Sequence, residues 1–175
     1  MSRTLVVVYS YTGTCLKVAQ LLGSQQGWDV AEVVDAKPRD GSAGTRRCVL
    51  DSWLRRRPAI RYTGPAPEDF DTVVLVAPIW LYRLAGPMRS FVHAQGNRLP
   101  TLAVISVMGG RGAPNAVAEI GRITGRSPMF TTAFQAREVD DGSFAGRLQA
   151  FGDAISAAQA SSEVIRQPLL SPQAA

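Results

Sequence analysis

Ser10-Tyr11-Thr12-Gly13-Thr14-Cys15 sets hydroxyl groups around one glycine, directly after the apolar run Leu5-Val6-Val7-Val8-Tyr9. An amphipathic pattern then begins at Leu16, Val18, Ala19, Leu21 and Leu22. That order reads as a buried strand, a tight turn and the start of a helix. Such a turn aims unpaired backbone N–H groups and the positive end of the helix dipole at one point. Ser10, Tyr11, Thr12 and Thr14 add hydroxyls around it. The chemistry this suits is phosphate binding. The alternative is a plain strand-to-helix turn, since Ser and Thr favour helix N-caps.

Two further stretches carry unusual residue types. Ala77-Pro78-Ile79-Trp80-Leu81-Tyr82 places two aromatic residues at a strand exit stiffened by proline. Trp80 and Tyr82 can wall a flat ring by offset stacking. Otherwise they pack against a neighbouring helix or a partner subunit. In Met108-Gly109-Gly110-Arg111-Gly112-Ala113-Pro114, three glycines let backbone approach a ligand closely. Arg111 can sit near a ring edge that gains negative charge. Otherwise the stretch is a Gly-rich connection, with Pro114 starting a helix.

Other chemistries find no support. His93 is the only histidine, and with Cys15 and Cys48 it forms neither a metal-ligand cluster nor a Ser-His-Asp set. No catalytic residue and no metal ligand is assigned. The Walker lysine motif and Gly-x-Gly-x-x-Gly are absent. Cys15 at a helix start could ionise easily, but a neighbouring phosphate would oppose that. It reads as a structural stand-in for threonine. The net charge is +5 and nearly all the positive charge is arginine, with Arg39, Arg46, Arg47, Arg55, Arg56, Arg57 and Arg61 crowded together. This is a solvated helix face or an anion-binding face. No nucleic-acid-binding signature accompanies it.

These loops need elements to hold them. Strands are expected over 4–9, 28–34, 72–77, 101–108 and 129–135, and helices over 14–25, 45–56, 86–96, 114–125 and 143–160. In the second helix Val49, Leu50, Trp53 and Leu54 form an apolar stripe. Asp141 or Ser143 is placed to cap the last helix. Residues 36–44 and 58–69 read as surface loops, and 161–175 as a frayed tail. Alternating strands and helices imply a parallel sheet with helices on both faces. Ligands on such sheets bind beyond the carboxyl ends of the strands, which selects loops 10–15, 77–86 and 108–114. The 175 residues suit one domain, and their apolar runs are too short to span a bilayer. No signal peptide is recognised in residues 1–10, and two cysteines give no disulfide framework. A cytoplasmic setting is expected.

Ser10 to Cys15 resembles the flavodoxin phosphate loop, Thr/Ser-x-Thr-Gly-x-Thr, with Cys15 where a hydroxyl residue is usual. Pro78-Ile79-Trp80, followed by Gly86-Pro87-Met88-Arg89-Ser90-Phe91, resembles the Pro-x-Trp loop and Pro-x-Arg-x-Phe helix start of bacterial flavodoxin-family proteins. The resemblance spans residues 3–160 and is of the short-chain type, although the chain is basic where electron-carrying flavodoxins are acidic. It implies an α/β flavodoxin-like three-layer sandwich with a five-stranded parallel sheet of order 2-1-3-4-5. It implies an FMN-binding domain over 1–160. Ser10, Tyr11, Thr12, Gly13, Thr14 and Cys15 would hold the phosphate. Pro78, Ile79, Trp80, Leu81, Tyr82, Gly109, Gly110, Arg111 and Gly112 would frame the ring. Electron transfer through the flavin to a redox partner protein is the leading expectation. An NAD(P)H-dependent reductase acting on a quinone or other small acceptor stays open. So does a degenerate binding module without FMN, and so does a homodimer; nucleic acid and membrane are not expected as partners.

Overall fold

The computed structural model of the chain describes residues 3–37 and 41–166. In chain order they form β1 (Thr4–Tyr9), α1 (Thr14–Gln26), β2 (Asp29–Asp35), α2 (Gly41–Trp53), β3 (Ile60–Thr63), β4 (Thr72–Trp80) and β5 (Arg83–Leu84). Then follow α3 (Gly86–Gln95), β6 (Thr101–Met108), α4 (Ala113–Thr124), β7 (Phe130–Gln135), α5 (Ala136–Asp141) and α6 (Ala145–Arg166). The last helix runs past Ser161; residues 167–175 of the expected tail lie outside the described residues.

The apolar runs sort the strands by position. β1, β4 and β6 are buried along almost their whole length, because each has strand neighbours on both sides and helices on both faces. β1 pairs in parallel with β2 and β4, β4 with β6, and β6 with β7. The parallel strands thus stand in the order β2-β1-β4-β6-β7, the expected 2-1-3-4-5 counted among themselves. The sheet is nonetheless seven-stranded and mixed, not five-stranded and parallel. β3 adds antiparallel to β2, with Val33 opposite Tyr62. β5 folds back on β4, with Trp80 opposite Arg83. Residues 58–69 looked like loop because Pro58, Arg61 and Pro65 crowd them. Only Ile60 and Tyr62, two apart, carry the strand signal, and Tyr62 packs 5.0 Å from the Phe91 ring.

Alternate strand residues feed two cores. Leu5, Val7, Val73 and Leu75 meet Met88, Phe91 and Ile120 of α3 and α4. Val6, Val8, Val74 and Val76 meet Val18 and Leu22 of α1 and Leu148 and Ile155 of α6 on the other face. α2 joins neither layer as a normal crossover helix. It lies against β4, β5 and α3, beside the carboxyl end of β4. This corrects the sequence reading of its faces. Val49, Leu50, Trp53 and Leu54 are 40%, 42%, 60% and 45% exposed, while Asp51 and Ser52 are buried. Asp141 does not cap α6 either: it ends α5 and accepts a 2.8 Å hydrogen bond from the Ser143 backbone N–H.

The reason for the α2 orientation is Arg89, which is 1% exposed on the first turns of α3. Its guanidinium is ion-paired with the buried carboxylate of Glu119 on α4. It also donates to the carbonyls of Leu84 at 2.8 Å, Arg56 at 3.1 Å and Asp51 at 3.3 Å. The face of α2 that turns inward is the one whose last carbonyls reach this cation. Removing one partner of a buried ion pair leaves the other charged and unmatched, at a cost of about 3–5 kcal/mol. Arg89→Ala is therefore expected to lower unfolding stability by that amount in urea titration, and Glu119→Gln by less. A loss below about 1 kcal/mol, the size of an ordinary surface change, would show that the pair does not hold these elements together.

Candidate functional site

The hydroxyl loop joins β1 to α1 and leaves the helix start open. Gly13 is the N-cap residue, in the left-handed region at φ 88°, and no side chain caps the helix. A Cβ at Gly13 would meet nothing within 4 Å, so backbone conformation, not space, demands glycine. Ser10 Oγ is closed off from solvent yet has no hydrogen-bond partner among the described residues. Thr12 and Thr14 share a 3.2 Å hydroxyl contact. A buried hydroxyl without a partner is costly, and a ligand oxygen at this point would relieve it.

Opposite the loop stands Trp80. β4 runs three residues further than the sequence suggested, so Pro78, Ile79 and Trp80 are strand residues. The Trp80 ring meets Tyr9 edge-on at 6.1 Å and Tyr11 at 5.9 Å. Tyr9 is itself fixed by donating a 2.9 Å hydrogen bond from its phenol to Asp35 at the end of β2. The chain then turns back through Leu81 and Tyr82, both left-handed at φ 47° and 61°. For residues with side chains that conformation costs roughly 1–2 kcal/mol each. Gly112 receives this turn: a Cβ there would lie 2.6 Å from Tyr82 Cα.

The fold gathers most of the sequence-chosen residues into one cleft. Ser10, Tyr11, Thr12, Thr14 and Cys15 line it from the first loop, Pro78, Ile79 and Trp80 from β4, and Gly109 from the third loop. Gly13 shapes the helix start without lining the cleft, and Gly110 and Arg111 lie exposed on the loop beyond Gly109. Leu81 and Tyr82 point to a separate cleft on the other side of the turn. Gly112 supports Tyr82 instead of facing the first cleft. His93 is exposed on the last turn of α3 and lines neither cleft. Burial first, then the cations Arg57 and Arg89, hold its imidazole below the ordinary value.

Met108, inside the selected loop 108–114, lines the cleft as well, while Val107 and Ala136 were not among the chosen site residues. Val107 and Met108 end β6, and Ala136 opens α5 just beyond β7. The signal for α5 was present as Gln135 and Glu138, spaced as a capping box, which the helix indeed forms. Among the described residues no carboxylate lines this cleft, so a dianion meets no repulsive neighbour from them.

Cys15 is 2% exposed, within the core that includes Val18 and Leu22. Burial pushes its thiol up to about 12, so it is protonated and unreactive at neutral pH. The unfolded thiol ionises near its ordinary 9.0 while the folded one does not. Its contribution to stability is therefore present below pH 9 and is lost as the pH climbs toward 12. Iodoacetamide at pH 8 is expected to leave Cys15 unmodified in the native protein and to alkylate it in guanidinium, as read by peptide mass. Labelling at the rate of an exposed thiol would contradict its burial.

No protein-family model matches the chain, and no curated protein does. Solved structures do. A flavoprotein from Lactobacillus acidophilus NCFM, determined in complex with FMN, superposes with a TM-score of 0.66 at 20% identity, over 81% of this chain and 98% of that one. A flavodoxin from Streptococcus pneumonia TIGR4 gives 0.51 at 16%, over 89% and 99%. A flavodoxin from the domain Archaea gives 0.50 at 15%, over 88% and 99%. Strand order, layers and these superpositions agree: the chain has the flavodoxin-like fold.

Proposed function

We propose that the chain binds FMN in the cleft between the hydroxyl loop and Trp80 and serves as an electron-transfer flavoprotein. The observation that carries this is the uncapped start of α1 beside the buried, unpartnered Ser10 hydroxyl. Ser10, Thr12, Thr14 and the first N–H groups of α1 would hold the phosphate, which carries nearly two negative charges at neutral pH. Trp80 and Met108 offer apolar surface to the ring, and the open backbone at Gly109 offers it polar groups. Bound FMN supplies the redox chemistry; the protein supplies position and electrostatics. The superposition on a flavoprotein that holds FMN supports this assignment.

Cys15 does not argue against it. The helix start remains open with a buried thiol beneath it, so the backbone part of the phosphate site is intact. Two functional readings share the cofactor. Electron transfer to a redox partner protein is the first, because the exposed Leu81–Tyr82 turn follows directly on Trp80 of the cleft and offers apolar surface to a partner. NAD(P)H-dependent reduction of a small acceptor is the second, favoured by the exposed cations Arg55, Arg56 and Arg57, of which Arg55 lies beside the Leu81–Tyr82 turn.

Titration of the purified protein with FMN is expected to give a flavin spectrum with altered fluorescence. Ser10→Ala should weaken binding by about tenfold or more, since a hydrogen bond to a charged group is worth roughly 1.5–3 kcal/mol. The same change should not lower folding stability and should raise it where the hydroxyl is left dry, because Ser10 Oγ has no hydrogen-bond partner to lose among the described residues. Trp80→Leu should weaken FMN and brighten the bound flavin. Aromatic pairing accounts for about 0.5–1.5 kcal/mol of that. No binding at tens of micromolar FMN would end the proposal.

Anaerobic mixing of the FMN-loaded protein with NADPH and with NADH separates the two readings. Slow or absent flavin bleaching is the expected outcome for a carrier. Rapid bleaching that saturates with nucleotide, followed by turnover with a quinone, would establish the reductase.

A further inference from the structure

On the other side of the β4–β5 turn lies a second cleft of about 460 Å³, within the range of small-molecule sites. Three segments wall it: Trp53 at the end of α2 with Arg55 just beyond it, the turn with Leu81, Tyr82 and Arg83, and α4 with Arg122. Its charge is one-sided. Glu119, at its base, is buried and matched by Arg89. Arg55, Arg83 and Arg122 have no ion pair among the described residues.

Its aromatic content is equally unexplained by folding. Trp53 is 60% exposed and Tyr82 58% exposed, so two large rings remain in water inside a concave wall. Among the described residues, the non-glycine positions with left-handed backbone are Arg55, Leu81 and Tyr82, and all three line this cleft. Strain of that kind persists where surrounding structure enforces it, and it gathers at ligand sites. Here Gly112 and the Arg89–Leu84 hydrogen bond enforce it from behind.

We infer that this cleft is a second ligand site, distinct from the flavin cleft, and that it takes a planar aromatic anion. The ring packs on Trp53 and Tyr82, and the anionic group meets Arg55, Arg83 and Arg122. Guanidinium groups suit this task because their flat faces stack on rings and their paired donors match phosphate, sulfonate or carboxylate oxygens. A nucleotide and an aryl acid share this chemistry, and the test separates them.

The test follows the tryptophan indole N–H signals of the ¹⁵N-labelled protein, with the Trp53 signal assigned from Trp53→Phe. Four probes are titrated: adenosine monophosphate, naphthalene-2-sulfonate, adenosine and inorganic phosphate. The expected result is a saturable Trp53 shift with one or both aromatic anions, at least tenfold tighter than with adenosine or phosphate. The tighter of the two aromatic anions identifies the source. Arg83→Gln and Arg122→Gln should each weaken that binding about tenfold while the rest of the spectrum shows an unchanged fold. No Trp53 shift at millimolar probe overturns the inference. So does equal binding of phosphate or adenosine, and so does indifference to both arginine substitutions. Repeating the titration with FMN present keeps the two sites apart, since Trp80 reports the flavin cleft and Trp53 this one.

Discussion

A single buried cation organises the functional end of this molecule. Arg89 is a guanidinium taken out of water, and that is tolerable only because its donors find Glu119 and the carbonyls of Leu84, Arg56 and Asp51. Each of those acceptors belongs to a different piece of chain: α4, β5, the segment after α2, and α2 itself. The cation thus joins four segments, of which α4 and β5 are also held by the core through Ile120 and Leu84. β5 is the returning arm of the turn that carries Trp80 to Arg83, so the aromatic wall of one cleft and the lining of the other both rest on the same charge.

The helix starts at the carboxyl edge of the sheet are not equivalent. α5 satisfies its own first N–H groups through the reciprocal bonds of Gln135 and Glu138. α3 and α4 carry Pro87 and Pro114 in their first turns, which removes a donor from each. α1 has neither device. Of these four helices, α1 therefore keeps the most unsatisfied N–H groups at its start.

How much of this could be read from the sequence follows from the same physics. β1, β4 and β6 are legible because burial on both faces leaves no position for a polar residue. The hydroxyl loop is legible because Gly13 interrupts Ser and Thr where a strand must become a helix. The inward face of α2 was not legible. Periodicity shows that Val49, Leu50, Trp53 and Leu54 share a stripe, but not that Arg89 draws Asp51 inward and leaves the stripe in solvent. The Leu81–Tyr82 turn was hidden because it uses neither Gly nor Asn, the residues that signal such turns. Its cause is distant in sequence, at Gly112 and Arg89. The Pro-x-Arg-x-Phe segment is recognisable by its pattern, yet the role of its arginine needs Glu119, thirty residues away.

The contact between Gly112 and the Tyr82 backbone has a thermodynamic side. One peptide segment forms the partition between two clefts, with Trp80 on one side and Tyr82 and Arg83 on the other. A partition that is braced from behind cannot shift toward one chamber without shifting away from the other. Any occupant that draws the turn toward itself changes the room left for an occupant opposite. Equilibrium linkage then requires the influence to be mutual and equal: whatever factor the first imposes on the affinity of the second, the second imposes on the first.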